Sequence, residues 1–235
     1  MRNRIMPVIA AVSLIAAAAA MNFLPDEVPI NYNVIGEVGN RGSKYWLFIF
    51  PLIAAVASVI WAVYIRVREK RLSSADEKTA VRIKSNGKVL FVILLAYEVF
   101  VLAGQGIMTF HLISMGEENS GAMPAELSSV ICCALGALYV AVGNIIPKAR
   151  LGAVLGVRTP WSMKNELAWQ YSNRFGGGML FASGVLIIAE SLIFRGMTVF
   201  YILLGIIAVA VAATLIYSYH AYKRSILYGK GERKC

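Results

Sequence analysis

The residues from which catalytic and metal centres are usually assembled are scarce in this chain. Its 235 residues include two histidines, His111 and His220, and three cysteines. Cys132 and Cys133 are adjacent and Cys235 is the last residue, so neither a disulfide framework nor metal-ligand spacing is present. No His-x-x-x-His pair, no phosphate-binding glycine loop before Lys-Ser/Thr and no Gly-x-Ser-x-Gly nucleophile site occurs. Nothing therefore nominates a cofactor, a metal or a catalytic residue, and the expectation is a protein that is not an enzyme. Charge is scarce too. Only 15% of residues are charged, against about a quarter in soluble domains, which argues against a single soluble globule.

What the chain has instead is apolar length. Hydrophobic residues make up 58% of it and the mean hydropathy is +0.65. Six runs have helical length: Ile5–Leu24, Tyr45–Ile65, Val89–Ile113, Leu127–Ile146, Gly177–Phe194 and Thr198–Tyr219. A bilayer span takes about 20 residues, and backbone polar groups in hydrocarbon must be satisfied within the segment. No run shows the period-2 alternation of a membrane β-barrel. The fold expected is all-α: a polytopic integral membrane protein of about six transmembrane helices, with no room for a large extramembrane domain. Three regions are expected: a helical hairpin over 1–66 with an outer Pro/Gly-rich segment, a basic loop over 67–88, and a four-helix membrane domain over 89–235.

The net charge of +10 does not imply a nucleic-acid partner, because its distribution follows the spans. Twenty Lys and Arg flank the spans on one side, and only Arg41, Lys44 and Arg195 fall on the other. The positive-inside rule then places both termini in the cytoplasm. The start, Met1-Arg2-Asn3-Arg4 before an apolar run with the string Ala16–Ala20, also imitates a cleavable secretory signal. Its length suits a span better.

Two polar segments stand out. The outer one contains Pro25, Asp26, Pro29, Asn31, Gly36, Arg41 and Lys44. Prolines four apart prevent a regular helix and the glycines favour turns, giving either a constrained connector or a shaped cap that meets something extracellular. The inner one runs from Gly143-Asn144 through Pro147-Lys148 and Gly156 to Arg158-Thr159-Pro160-Trp161, Glu166, Trp169 and Arg174. Thr159 before Pro160 suits a helix N-cap with proline at the first position. From Trp161 a helical wheel puts Leu167, Ala168, Tyr171 and Phe175 on one face and Glu166, Gln170 and Arg174 on the other. A short interfacial helix is expected there, with Trp161 and Trp169 at headgroup depth and Lys164 snorkelling.

On these two segments the chain resembles the SdpI-type immunity proteins of Gram-positive bacteria. The inner match runs through Gly143-Asn144, Pro147-Lys148, Gly156, Arg158-Thr159-Pro160-Trp161, Glu166, Trp169, Arg174 and Gly176-Gly177. The outer segment looks like that family's amino-terminal domain of unknown function. Asn31, Gly152 and Asn173 depart from the family pattern, standing where histidine, asparagine and histidine are usual. The resemblance implies resistance to a secreted membrane-active toxic peptide, with membrane lipid around it. In the best-known member it also implies recruitment of a cytoplasmic repressor. The inner residues are expected to lock spans four and five, with Arg158 or Arg174 pairing with Glu166 or with lipid phosphate.

Within the spans, Glu98, Gln105 and Glu190 are the costly groups. Glu98 and Gln105, seven residues apart, share a helix face that should pack against another helix. Such groups either act as packing glue or form a proton relay. The second possibility defines a rival reading, a proton-linked small-molecule transporter. A third is a scaffold recruiting a soluble partner through the basic loop.

Overall fold

A computed structural model of the chain describes residues 4–33, 37–115 and 125–231. Six helices dominate it: α1 (Ile5–Ala20), α2 (Ile49–Leu72), α3 (Glu77–Met115), α4 (Ala125–Ile145), α5 (Glu166–Ile193) and α6 (Thr198–Gly231). Helices α2 to α6 are long and apolar enough to cross a membrane, whereas α1 has 16 residues. At 1.5 Å per residue α1 is about 24 Å long, short of the roughly 30 Å hydrocarbon layer. Large apolar side chains such as Phe110, Leu192 and Ile193 stand exposed on the helices. Buried positions meanwhile include Ser13, Ser58, Glu98, Gln105, Ser183 and Glu190. A lipid-solvated bundle has this distribution, because apolar surface gains nothing by leaving the acyl chains.

Two expectations about boundaries are corrected. The basic stretch 67–88 is not a loop. Helix α2 runs on to Leu72 with Lys70 and Arg71 in its last turn, and α3 begins at Glu77. Cations suit a helix C-terminus, and Asp76 accepts from the Thr79 amide to open α3. The break is only 73–76. Nor is there a separate interfacial helix after Pro160. Thr159 does cap one turn, accepting from the Ser162 amide at 3.0 Å, but that turn ends before Asn165. Asn165 then caps α5 by accepting from the Ala168 amide at 2.8 Å, and α5 continues unbroken through four glycines to Ile193.

The Pro/Gly-rich segment, expected as a constrained connector or a shaped cap, forms a β-hairpin. Strand β1 (Glu27–Tyr32) pairs antiparallel with β2 (Val38–Ser43), Glu27 opposite Ser43 and Pro29 opposite Arg41. Proline is tolerated because a two-stranded ladder leaves half its amide positions unpaired. A 3-10 turn, Lys44–Phe48, leads into α2.

The chain divides into two compact units. One comprises 1–64, 94–135 and 187–203, the other 65–93, 136–186 and 204–235, a division that cuts across the three regions expected from the sequence. In the first, Ala17 and Ala20 of α1, Leu24, Val28, Leu47 and Leu112 form the core. In the second, Val89 and Ile93 of α3 pack with Ala149, Ala153 and Trp169.

Candidate functional site

The second unit is organised around residues 143–177. Helices α4 and α5 meet there without intervening side chains. A Cβ on Gly143 would lie 2.5 Å from the Phe181 amide nitrogen and 2.8 Å from the Gly177 carbonyl. One on Gly177 would lie 2.6 Å from the Pro147 ring and 2.8 Å from the Gly143 carbonyl. Gly184 approaches Gly136 and Val140 in the same way about two helical turns further on. Small residues let helix backbones close on each other where apolar driving force is absent.

The chain between the two helices folds back on itself through Gly152 (φ +87°) and Gly156 (φ +141°), conformations that only glycine adopts without strain. A side chain at Gly156 would also strike the Trp169 ring, 3.1 Å away, and Asn173. Trp169 is the centre of this packing. It is fully buried, and its indole Nε1 donates to the Ala149 carbonyl at 2.8 Å. Asn173, one turn later and also fully buried, accepts from the Val157 amide at 2.8 Å and donates to the Trp169 carbonyl at 2.9 Å. Trp169 is therefore not the headgroup-level anchor expected from the sequence. The buried face of α5 here is Ala168, Trp169, Ser172, Asn173, Gly176 and Gly177, while Leu167 is exposed.

The Arg158-Thr159-Pro160-Trp161 turn is held by hydroxyls. Thr159 and Ser162 bond reciprocally, each amide donating to the other's hydroxyl, and Ser162 Oγ donates to the Val157 carbonyl at 2.6 Å. Thr159 Oγ1 also bonds Ser218 of α6, which in turn accepts from Ser172 at 3.2 Å. All four hydroxyl residues are buried. Asn165 donates to Ser225 at 2.9 Å, and Trp161 packs edge-on against Tyr219 with ring centroids 5.4 Å apart. The turn is thus tied to α5 and α6 by neutral hydrogen bonds in a place where a charge would be costly.

The expected arginine pairing is different in the structure. Glu166 pairs with Arg82 of α3 at 2.6 Å, and Arg158, exposed, donates to the Val154 carbonyl at 3.1 Å. Arg82 reaches Glu166 because the stretch read as a loop is helical at that point. Arg174 is exposed and lines a cavity with Lys148, Arg150 and Glu166; Asn144, Pro147 and Pro160 are exposed as well.

In the first unit, Lys44 closes the hairpin base by pairing with Asp26 at 2.9 Å. Pro29 is buried, Pro25 is half-buried before the strand, and exposed Asn31 accepts from the Asn40 amide at 2.7 Å. Gly36 lies outside the described residues. Tyr32 reaches His111 of α3 at 3.1 Å, and burial raises its phenol above the usual range. Glu98 and Gln105 do share a packed face: Glu98 accepts from Ser58 of α2 at 3.2 Å, and Gln105 donates to the Ser13 carbonyl of α1 at 2.8 Å. Glu190 is buried beside Cys132, with no partner for either oxygen among the described residues.

Sequence reasoning missed Arg82, Asn165, Ser172 and Ser218, and treated Asn173 only as a departure. Asn173 alone left a signal, a polar residue four positions after Trp169 beside a glycine pair. No metal-holding cluster occurs among the described residues.

Five long apolar helices, a short sixth and a polar interior define a multi-pass α-helical membrane protein. Residues 148–218 match the SdpI/YfhL protein family, and residues 8–55 match a domain of unknown function (DUF1648). The chain is also similar to a protein of Bacillus subtilis (strain 168), "Immunity protein SdpI", at 24% identity over 95% of this chain and 97% of that one. No solved structure matches the chain.

Proposed function

We propose that this protein protects the cell that carries it from a secreted, membrane-active toxic peptide, with both termini in the cytoplasm and the hairpin facing outward. The observation that carries the reading is the end-to-end likeness to a protein named for immunity, which spans both the hairpin segment and the Arg-Thr-Pro-Trp turn. The part assigned here to residues 143–177 is structural: they hold α4 and α5 together so that the outward surface keeps its shape. The hairpin supplies the surface that meets the toxin or the lipid it attacks. Recruitment of a cytoplasmic repressor is a separable second part of the proposal, supported by family likeness alone.

The test is survival of a toxin-sensitive host carrying the intact protein, Arg158→Ala or an empty vector, across a panel of membrane-active bacteriocins. Protection by the intact protein against at least one peptide is expected. Equal killing in all three strains, with the protein present in the membrane fraction, overturns the immunity reading. For the second part, a repressor that fractionates with membranes only when the protein is present is the expected result.

A further inference from the structure

The second unit holds a cationic cavity that none of the roles above uses. It has a volume of about 530 Å³ and is lined by Ser85, Lys148, Arg150, Glu166, Gln170 and Arg174 among others. Its one carboxylate, Glu166, is already matched by Arg82. Lys148, Arg150 and Arg174 have no carboxylate within ion-pair distance among the described residues. Three cations beside one carboxylate that is already paired leave this concave surface net positive, and an anion in that space relieves the repulsion among them.

The surface is also built rather than incidental. The Ala149 carbonyl accepts from Trp169, the Ala149 amide donates to Ile146, and the Arg150 amide donates to Asn86 of α3 at 2.8 Å. The Arg150 carbonyl accepts from Ala153 at 2.9 Å, and Pro147 is seated on Gly177. The backbone that carries Lys148 and Arg150 is thereby fixed on both sides, and Arg174 projects from the regular helix α5. Position decides the class of anion. Residues 146–148 directly follow the apolar helix α4, and Glu166 opens the membrane-spanning helix α5, so the cavity sits at the depth where hydrocarbon gives way to headgroups. Basic pockets between helices at this level take phosphate headgroups.

We infer that this cavity binds the phosphate headgroup of an anionic membrane lipid. The inference stands apart from the immunity reading and survives if that fails. The test uses the full chain in a neutral detergent, titrated with phosphatidylglycerol, cardiolipin or phosphatidylcholine and read by native mass spectrometry. Selective retention of the anionic lipids is expected. Lys148→Gln, Arg150→Gln and Arg174→Gln should each weaken it about fivefold, and the triple variant on the order of a hundredfold. Lys164→Gln, an exposed cation outside the cavity, should leave it unchanged. Equal retention of phosphatidylcholine, or an equal loss in Lys164→Gln, overturns the site. So does displacement of the lipid by millimolar inorganic phosphate or by an acidic peptide, which assigns the cavity to a soluble anion. Should the triple variant not fold, the intact protein still decides: retention that does not fall as salt is raised overturns the proposal.

Discussion

Replacing Trp169 with phenylalanine separates a packing centre from a membrane anchor. Two losses follow from the structure. The Ala149 carbonyl loses its buried donor, which costs about 1–2 kcal/mol where the group stays dry. The smaller ring leaves a void of about 40 Å³, worth about 1 kcal/mol at ~24 cal/mol per Å³. Hydrogen bonds in membrane bundles sit at the low end of such ranges, so the sum is about 2 kcal/mol. For a chain of this size that lowers the unfolding midpoint by about 4–8 °C. The assay is thermal unfolding in detergent micelles, followed by circular dichroism. Asn173→Ala, which removes the bonds to Val157 and to the Trp169 backbone, should destabilise by a similar amount. The double variant should lose less than the sum, because the two side chains support one local structure. A midpoint for Trp169→Phe within about 1 °C of the parent would refute the reasoning and return Trp169 to the headgroup belt.

The glycine seam makes a paired prediction: Gly177→Ala should cost about 1–3 kcal/mol by forcing α4 and α5 apart. Its neighbour Gly178→Ala, which meets nothing within 4 Å, should be neutral or slightly stabilising in the same melts. Glu190→Met should raise thermal stability by about 1–2 kcal/mol, since neither carboxylate oxygen is bonded among the described residues, and a loss would show that the carboxylate has a partner. At Asp76 the side-chain bond with Thr79 holds the carboxyl below its usual value, so the charged form favours the folded helix start. That contribution is present above the unfolded pKa of about 4 and is lost as pH falls through the lower folded value. The protection of the Thr79 and Ala80 amides, relative to their intrinsic exchange rates, should therefore fall below about pH 4 in the parent but not in Asp76→Ala.

The spans were legible because twenty apolar residues in a row have few other uses, and the shared face of Glu98 and Gln105 was legible from helical spacing. The Thr159-Pro160 turn start was legible too, but its length was not. The stop depends on Asn165 capping a second helix that runs on through glycines into the span. The buried side of α5 was not legible, for a reason particular to membranes. A hydrophobic wheel selects the lipid-facing side, and Leu167 is on it, whereas the protein-facing side carries Ser172, Asn173, Gly176 and Gly177. The hairpin was illegible because β2, Val-Gly-Asn-Arg-Gly-Ser, has one β-branched residue and no alternation. The Arg82–Glu166 pair joins residues 84 apart in sequence, and nothing local announces it.

The seam between α4 and α5 has one more consequence, for the way the protein assembles. Ordinary helix pairs dock by freezing side chains that had several rotamers, and each frozen rotamer subtracts from the gain. Gly136, Gly143, Gly177 and Gly184 have no rotamers to freeze. Two inserted helices can therefore close along this line with little entropic resistance, before the turn between them has found its hydrogen bonds. The same absence leaves no adaptable groups to absorb a misfit, so the line tolerates one register and no other. Assembly of this pair should be early, fast and unforgiving of added atoms.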